Sequence, residues 1–91
     1  MKFTERDMMS LLDAGVVTRV TVAWRNQQPG DQPELFPSGW TVSVWIGDVQ
    51  RGGSVKLLGS KREDVRIWKS LDTLSAWLWE RGVGRFEVDQ T

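Results

Sequence analysis

The chain has 91 residues with no cysteine, histidine or tyrosine, and its 12 basic and 12 acidic side chains cancel. A chain of this length holds one core and one domain, and the absence of cysteine excludes disulfides, thiolate nucleophiles and cysteine-based zinc sites. The absence of histidine removes the most common general base and metal ligand, so we expect no enzyme, no metal and no cofactor.

The first predicted element is a helix over residues 4–14. Thr4 and Asp7 have the spacing of a capping box, apolar residues follow at helical intervals, and Gly15 ends the run. Residues 16–25 then alternate between a valine-rich side and a polar side, which predicts a half-buried strand.

Residues 26–38 contain three prolines and a glycine and follow neither a helical nor a strand period. This composition predicts a long, mobile surface loop. Alternation resumes over residues 39–47, a turn with two glycines follows, and residues 54–58 return as the second strand of a hairpin.

A short fourth strand is predicted over residues 65–69. Ser70 caps the second helix, whose leucines form one stripe until Gly82 ends it, and residues 85–89 form a closing strand. The predicted fold is α+β, in the order α-β-β-β-β-α-β, with a mainly antiparallel sheet of about five strands and both helices on one face. We predict a single domain over residues 1–91, with the mobile loop at 26–38.

If the helices cover the valine-rich side of the sheet, the other side is basic and carries two tryptophans. Its predicted members are Arg19, Thr21, Arg25, Thr41, Ser43, Trp45, Lys56, Arg66, Trp68 and Arg85. Three interpretations remain open. The tryptophans could stabilise the sheet as a cross-strand pair, stack the bases of a single-stranded nucleic acid, or form a protein interface or self-association surface.

Charge is unevenly distributed along the chain. Residues 50–69 contain six basic and two acidic side chains, a local balance of +4. Within them Lys61, Arg62, Arg66 and Lys69 either contact an acidic or phosphate-bearing partner or form a solvated segment paired with Glu63 and Asp64. The zero net charge argues against strong nonspecific binding to nucleic acid.

Two further apolar side chains are candidate contact residues. Trp79, beside the charged end of the second helix, is expected to be exposed, and it either rims the helix–sheet core or contacts a partner. Phe36, in the proline-rich loop, either docks on a partner or folds back on the domain.

The run LLGSKREDVRIWKSLDTLSAWLWERGVGRFEVD resembles small plasmid-encoded partition-associated proteins of the ParC kind, which are distinct from the topoisomerase subunit of that name. The junction LLDAGVV at residues 11–17 and the pair GW at residues 39–40 also fit that pattern, whereas the proline-rich loop and the number of tryptophans depart from it. The resemblance implies an accessory role with other proteins of a bacterial mobile element, and it brings no assigned site residues.

The predicted function is therefore a non-enzymatic accessory binding module of a plasmid or mobile element, concerned with partition or stable maintenance and acting through protein contacts. Single-stranded nucleic-acid binding and inhibition of a host defence system are the alternatives. The sequence contains no apolar run long enough to cross a membrane and begins with a charged, helix-like segment, so we expect a cytoplasmic protein without membrane contact.

Overall fold

The computed structural model describes residues 2–26, 38–60 and 65–89. These ranges contain two helices, a short 3-10 turn and four strands. In chain order they are α1 (Glu5–Asp13), β1 (Val17–Arg25), β2 (Gly39–Ile46), the 3-10 turn (Val49–Arg51), β3 (Ser54–Leu57), α2 (Leu71–Glu80) and β4 (Glu87–Asp89). Most of the predicted loop at 26–38 lies outside the described residues.

The strands form one mixed sheet in the order β3-β2-β1-β4. The β1–β2 and β2–β3 pairs are antiparallel, as predicted, whereas β4 runs parallel to β1. The α+β class with two helices is confirmed, but over the described residues the sheet has four strands and is not wholly antiparallel.

The parallel pairing follows from the path of α2. The segment before α2 runs antiparallel to β2 at Trp68, so it has the same direction as β1. The helix then carries the chain across the sheet to β4, and a helical crossover of this kind joins parallel strands. Local alternation in residues 85–89 does not show the direction of the partner strand.

The predicted strand over residues 65–69 is reduced to one isolated bridge. The backbones of Trp40 and Trp68 exchange two hydrogen bonds, of 2.7 and 2.9 Å. The rest of this edge of β2, from Ser43 to Ile46, is already paired with β3, which leaves room for only a short contact.

Both helices have the ends that the sequence predicts. Thr4 and Asp7 form a reciprocal capping box at the start of α1, and the Ser70 hydroxyl accepts from the Thr73 amide at the start of α2. Each helix ends in a left-handed glycine, Gly15 with φ +73° and Gly82 with φ +85°. After α2, Gly82 and Val83 donate back to carbonyls of the last turn, the pattern of a Schellman motif.

The core lies between the helices and one face of the sheet. The fully buried side chains include Met8 of α1 and two leucines of α2, which form one cluster with the valines of β1 and β2. That cluster comprises Met8, Val20, Val22, Val42, Val44, Leu58, Trp68, Leu74, Leu78 and Val83. Alternate valines therefore turn toward both helices, as the strand pattern predicts.

Gly39 fixes how closely the start of β2 approaches the bridge at Trp68. A Cβ at this position would lie 2.3 Å from the Ile67 Cγ2 atom and 2.6 Å from the Trp68 carbonyl oxygen. Only glycine leaves room for this approach. In the part of the chain that the structure describes, neither helix is long and apolar enough to span a membrane.

Candidate partner-binding surface

The side of the sheet away from the helices is called here the open face. Paired residues share a face of a sheet, and successive residues alternate, so the register assigns its members. Across the four strands they are Arg19, Thr21, Ala23, Arg25, Thr41, Ser43, Trp45, Val55, Leu57, Glu87 and Asp89. No described helix packs on this side.

Trp45 lies half-buried in the middle of the open face. Its indole Nε1–H donates to the Thr21 hydroxyl at 3.0 Å, across the β1–β2 pair. The Arg19 guanidinium lies over the ring, 4.8 Å from its centroid. The predicted proximity of Trp45 and Arg19 on one face is thus what the structure shows, and the two contacts hold the indole in a fixed orientation.

Arg19 also forms an ion pair with Glu87 of β4. Their side chains are 49% and 58% exposed, so the pair adds little stability. The Glu87 carboxylate nevertheless offsets the positive charge of Arg19 at this position. With Arg25 and Asp89 included, the open face carries two positive and two negative side chains among its described members. The members that the register assigns therefore carry no net charge, because β4 brings two carboxylates beside β1. Arg85, which was also predicted on this face, precedes β4 and is not placed by the register.

Trp68 does not lie on the open face, which corrects the prediction that pairs it with Trp45. It is 7% exposed and packs on Trp77 of α2, with ring centroids 5.0 Å apart. The cause is its bridge to Trp40, an even-numbered residue of β2 that faces the helices together with Val42 and Val44. A bridge partner shares that face, so Trp68 enters the core.

Arg66 is likewise on the helix side of the sheet, in a cluster that the sequence did not predict. Its guanidinium lies 4.6 Å from the Trp68 ring and 4.9 Å from the Trp77 ring. Arg81 lies on Trp77 as well, at 4.1 Å, and Glu5 of α1 forms ion pairs with both arginines. The signal available in the sequence was the four-residue spacing of Trp77 and Arg81 on one helix.

The remaining predicted contact residues are not gathered into one site. Arg25 lies at the end of β1 on the open face, and Lys69 is exposed between the Trp68 bridge and α2. Trp79 is 73% exposed on α2, as expected, with its ring beside Gly84. Phe36, Lys61 and Arg62 lie outside the described residues.

The outer strand β3 contributes two contact candidates that the sequence analysis missed. Val55 and Leu57 are 40% and 42% exposed and stand beside Trp45 and Ser43 on the open face. The sequence pattern predicts Lys56 on this face, but the register pairs Lys56 with Val44 and so puts it on the helix side. A one-residue change of hairpin register exchanges the two sides of a strand, and only the turn geometry decides it.

A shallow depression of about 430 Å³ adjoins Trp45 at one end of the open face, lined by Thr18, Arg19, Trp45, Gly47, Asp48 and Gln50. Within the described ranges no three acidic side chains lie close enough together to hold a metal ion. The geometry thus presents an aromatic and aliphatic surface with compensated charge. Comparison of the chain with protein-family models, with curated proteins and with solved structures gave no match.

Proposed function

We propose that the chain is a non-enzymatic binding module that acts through protein–protein contacts on its open face. The observation that carries the proposal is the position of Val55 and Leu57, which are exposed beside a fixed tryptophan on a side of the sheet that no described helix covers. Exposed apolar side chains grouped around an aromatic ring are typical of the centre of a protein interface.

The charge of the open face favours a protein over a nucleic acid as partner. Binding to single strands needs guanidinium and ammonium groups that are free to meet phosphates. Arg19 is already paired with Glu87, and Arg66 lies with Glu5 on the opposite side of the sheet. Residues at the core of protein interfaces, in contrast, are poor in uncompensated charge.

The biological setting in this proposal is plasmid partition or stable maintenance, with a cytoplasmic location. It is supported by the resemblance of residues 57–89, and the comparisons add nothing to it. The test of the binding function is independent of that setting.

A photo-crosslinker on the open face tests the proposal. Benzoyl-phenylalanine is introduced in place of Val55, and in a matched control in place of Asp72, which is exposed on α2. Both chains are irradiated in cells that naturally carry the gene. We expect a discrete protein adduct from position 55 and none from position 72.

The pattern of adducts decides the outcome. An adduct at position 55 that exceeds position 72 by about tenfold or more supports a protein partner on the open face, whether that partner is another protein or a second copy of the chain. No adduct, or equal adducts from both positions, shows that this face does not bind protein.

A further inference from the structure

The outer edge of β3 has a row of backbone groups that point away from the sheet. In an antiparallel pair, residues whose N–H and C=O face the partner alternate with residues whose groups face outward. Leu58 donates to the Val42 carbonyl at 2.9 Å, so the even-numbered residues of this strand face β2. The backbone groups of Val55 and Leu57 therefore face outward.

One backbone hydrogen bond joins the N-terminal segment to the chain just after β3. Gly59, two residues beyond the end of the strand, donates to the Phe3 carbonyl at 2.7 Å. No described residue pairs with the outward backbone groups of Val55 and Leu57. Among the described residues, those groups are therefore open to an added strand.

The side chains of β3 define what such a segment would carry. Val55 and Leu57 face the open side, and Lys56 faces the other side, where it is exposed and has no ion-pair partner among the described residues. In an added antiparallel strand the residue opposite Lys56 would form a pair whose side chains are close, because that pair exchanges no backbone hydrogen bonds. A carboxylate at that position of the added strand would complement the charge of Lys56. Apolar residues on either side of the carboxylate would match Val55 and Leu57.

A second copy of the chain fits this edge less well. Pairing two β3 strands about a twofold axis, with Val55 opposite Leu57, would place the two Lys56 side chains directly opposite each other. Like charges directly opposite destabilise a strand pair, and a lysine on an edge strand is a common means of preventing self-pairing.

We propose that β3 binds an extended peptide segment of a partner protein by strand addition, the segment having an acidic residue flanked by two apolar residues. This inference rests on the proposed function, since it specifies how the open face and its edge engage a protein. The backbone supplies the hydrogen bonds, and Val55, Lys56 and Leu57 select the side chains.

The first test removes the backbone donor without disturbing the sheet. Leu57→Pro eliminates an outward N–H and blocks an added strand, whereas Leu57→Ala keeps the N–H and serves as the matched control. The probe is a displayed library of random extended peptides selected against the wild-type chain. We expect selected peptides to bind L57P at least about tenfold more weakly than L57A.

Two further readouts do not depend on how L57P folds. N-methylation of alternate backbone nitrogens in a selected peptide should abolish binding at one set of positions and leave it unchanged at the other. Selection against Lys56→Glu should change the central residue of the peptides from acidic to basic. Any one of three results would overturn strand addition. The library yields no binder, the selected peptides bind L57P and L57A equally, or selection against Lys56→Glu leaves the central residue acidic.

The crosslinking experiment separates this inference from the proposed function. If the adduct at position 55 forms and persists at full yield in an L57P background, the chain binds a protein but not by strand addition. If the adduct has the mass of two chains, the occupant is a second copy and the acidic segment is wrong. If no adduct forms, the proposed function itself fails.

Discussion

Glu5 connects three separate parts of the molecule through two arginines. It pairs with Arg81 after α2 and with Arg66 before it, and both guanidiniums lie on the Trp77 ring. Arg81 is only 22% exposed at its side chain, and its Nη1 also donates to the Trp77 carbonyl at 2.9 Å. A guanidinium that is partly shielded and bonded on several sides contributes more than an exposed ion pair.

At the residue scale we predict that Arg81→Met lowers the free energy of unfolding by about 1 to 2 kcal/mol. Methionine keeps the apolar stem but loses the ion pair, the hydrogen bond and the cation–π contact. Arg85→Met is the matched control, since Arg85 is exposed and has no ion pair among the described residues, and it should change stability by less than about 0.5 kcal/mol. Urea denaturation monitored by circular dichroism measures both, and equal effects would contradict the role of the cluster.

Trp45 and Trp68, which were predicted to pair, show which side-chain positions can be predicted from a sequence. The face of Trp45 follows from alternation within β2, and the structure confirms it. The face of Trp68 depends on which residue of another strand it meets, and no local pattern contains that information. The cluster around Trp77 was missed for the same reason, because Glu5 and Arg81 are 76 positions apart in the chain.

At the element scale, the two edges of β3 differ in their backbone hydrogen bonding. Its even-numbered residues hold the hairpin with β2, and its odd-numbered residues present backbone groups to the outside. The four-residue strand is short, as edge strands that avoid uncontrolled pairing usually are. The stability of the hairpin and the capacity to bind should therefore respond to different positions.

This difference predicts unequal costs in stability for proline at neighbouring positions. Lys56→Pro removes a donor that faces β2 and leaves an acceptor on Val44 unpaired, so it should cost at least about 2 kcal/mol relative to Lys56→Ala. Leu57→Pro removes an outward donor and should cost less than about 1 kcal/mol relative to Leu57→Ala. Thermal unfolding of the four variants measures this, and similar costs at both positions would show that the assigned edge is wrong.

Helices and the hairpin could be predicted at this scale because their signals are local. The capping box at Thr4 and the terminal glycines at Gly15 and Gly82 fix helix ends within a few residues of sequence. The direction of β4 and the loss of the strand over residues 65–69 could not be predicted in this way. Both depend on which segments of the chain pair with the free edges of β1 and β2.

At the scale of the whole molecule, folding brings acidic side chains beside the basic residues that are clustered in the sequence. Residues 50–69 have a local balance of +4, but Arg66 pairs with Glu5 of α1 and Arg51 lies 3.9 Å from Asp48. On the open face, β4 supplies Glu87 to Arg19. The described part of the molecule therefore has no basic surface centred on the Trp45 ring, and its long-range attraction for polyanions is weak.

The charge distribution predicts that the chain does not bind single-stranded nucleic acid. A titration with a twenty-residue oligothymidylate at low salt should leave tryptophan fluorescence unchanged, because base stacking on Trp45 would require phosphates to approach a guanidinium that Glu87 already neutralises. The Trp45→Phe variant identifies the ring responsible for any change. Quenching that weakens steeply with added salt and disappears in W45F would establish a nucleic-acid site and reverse the preference for a protein partner.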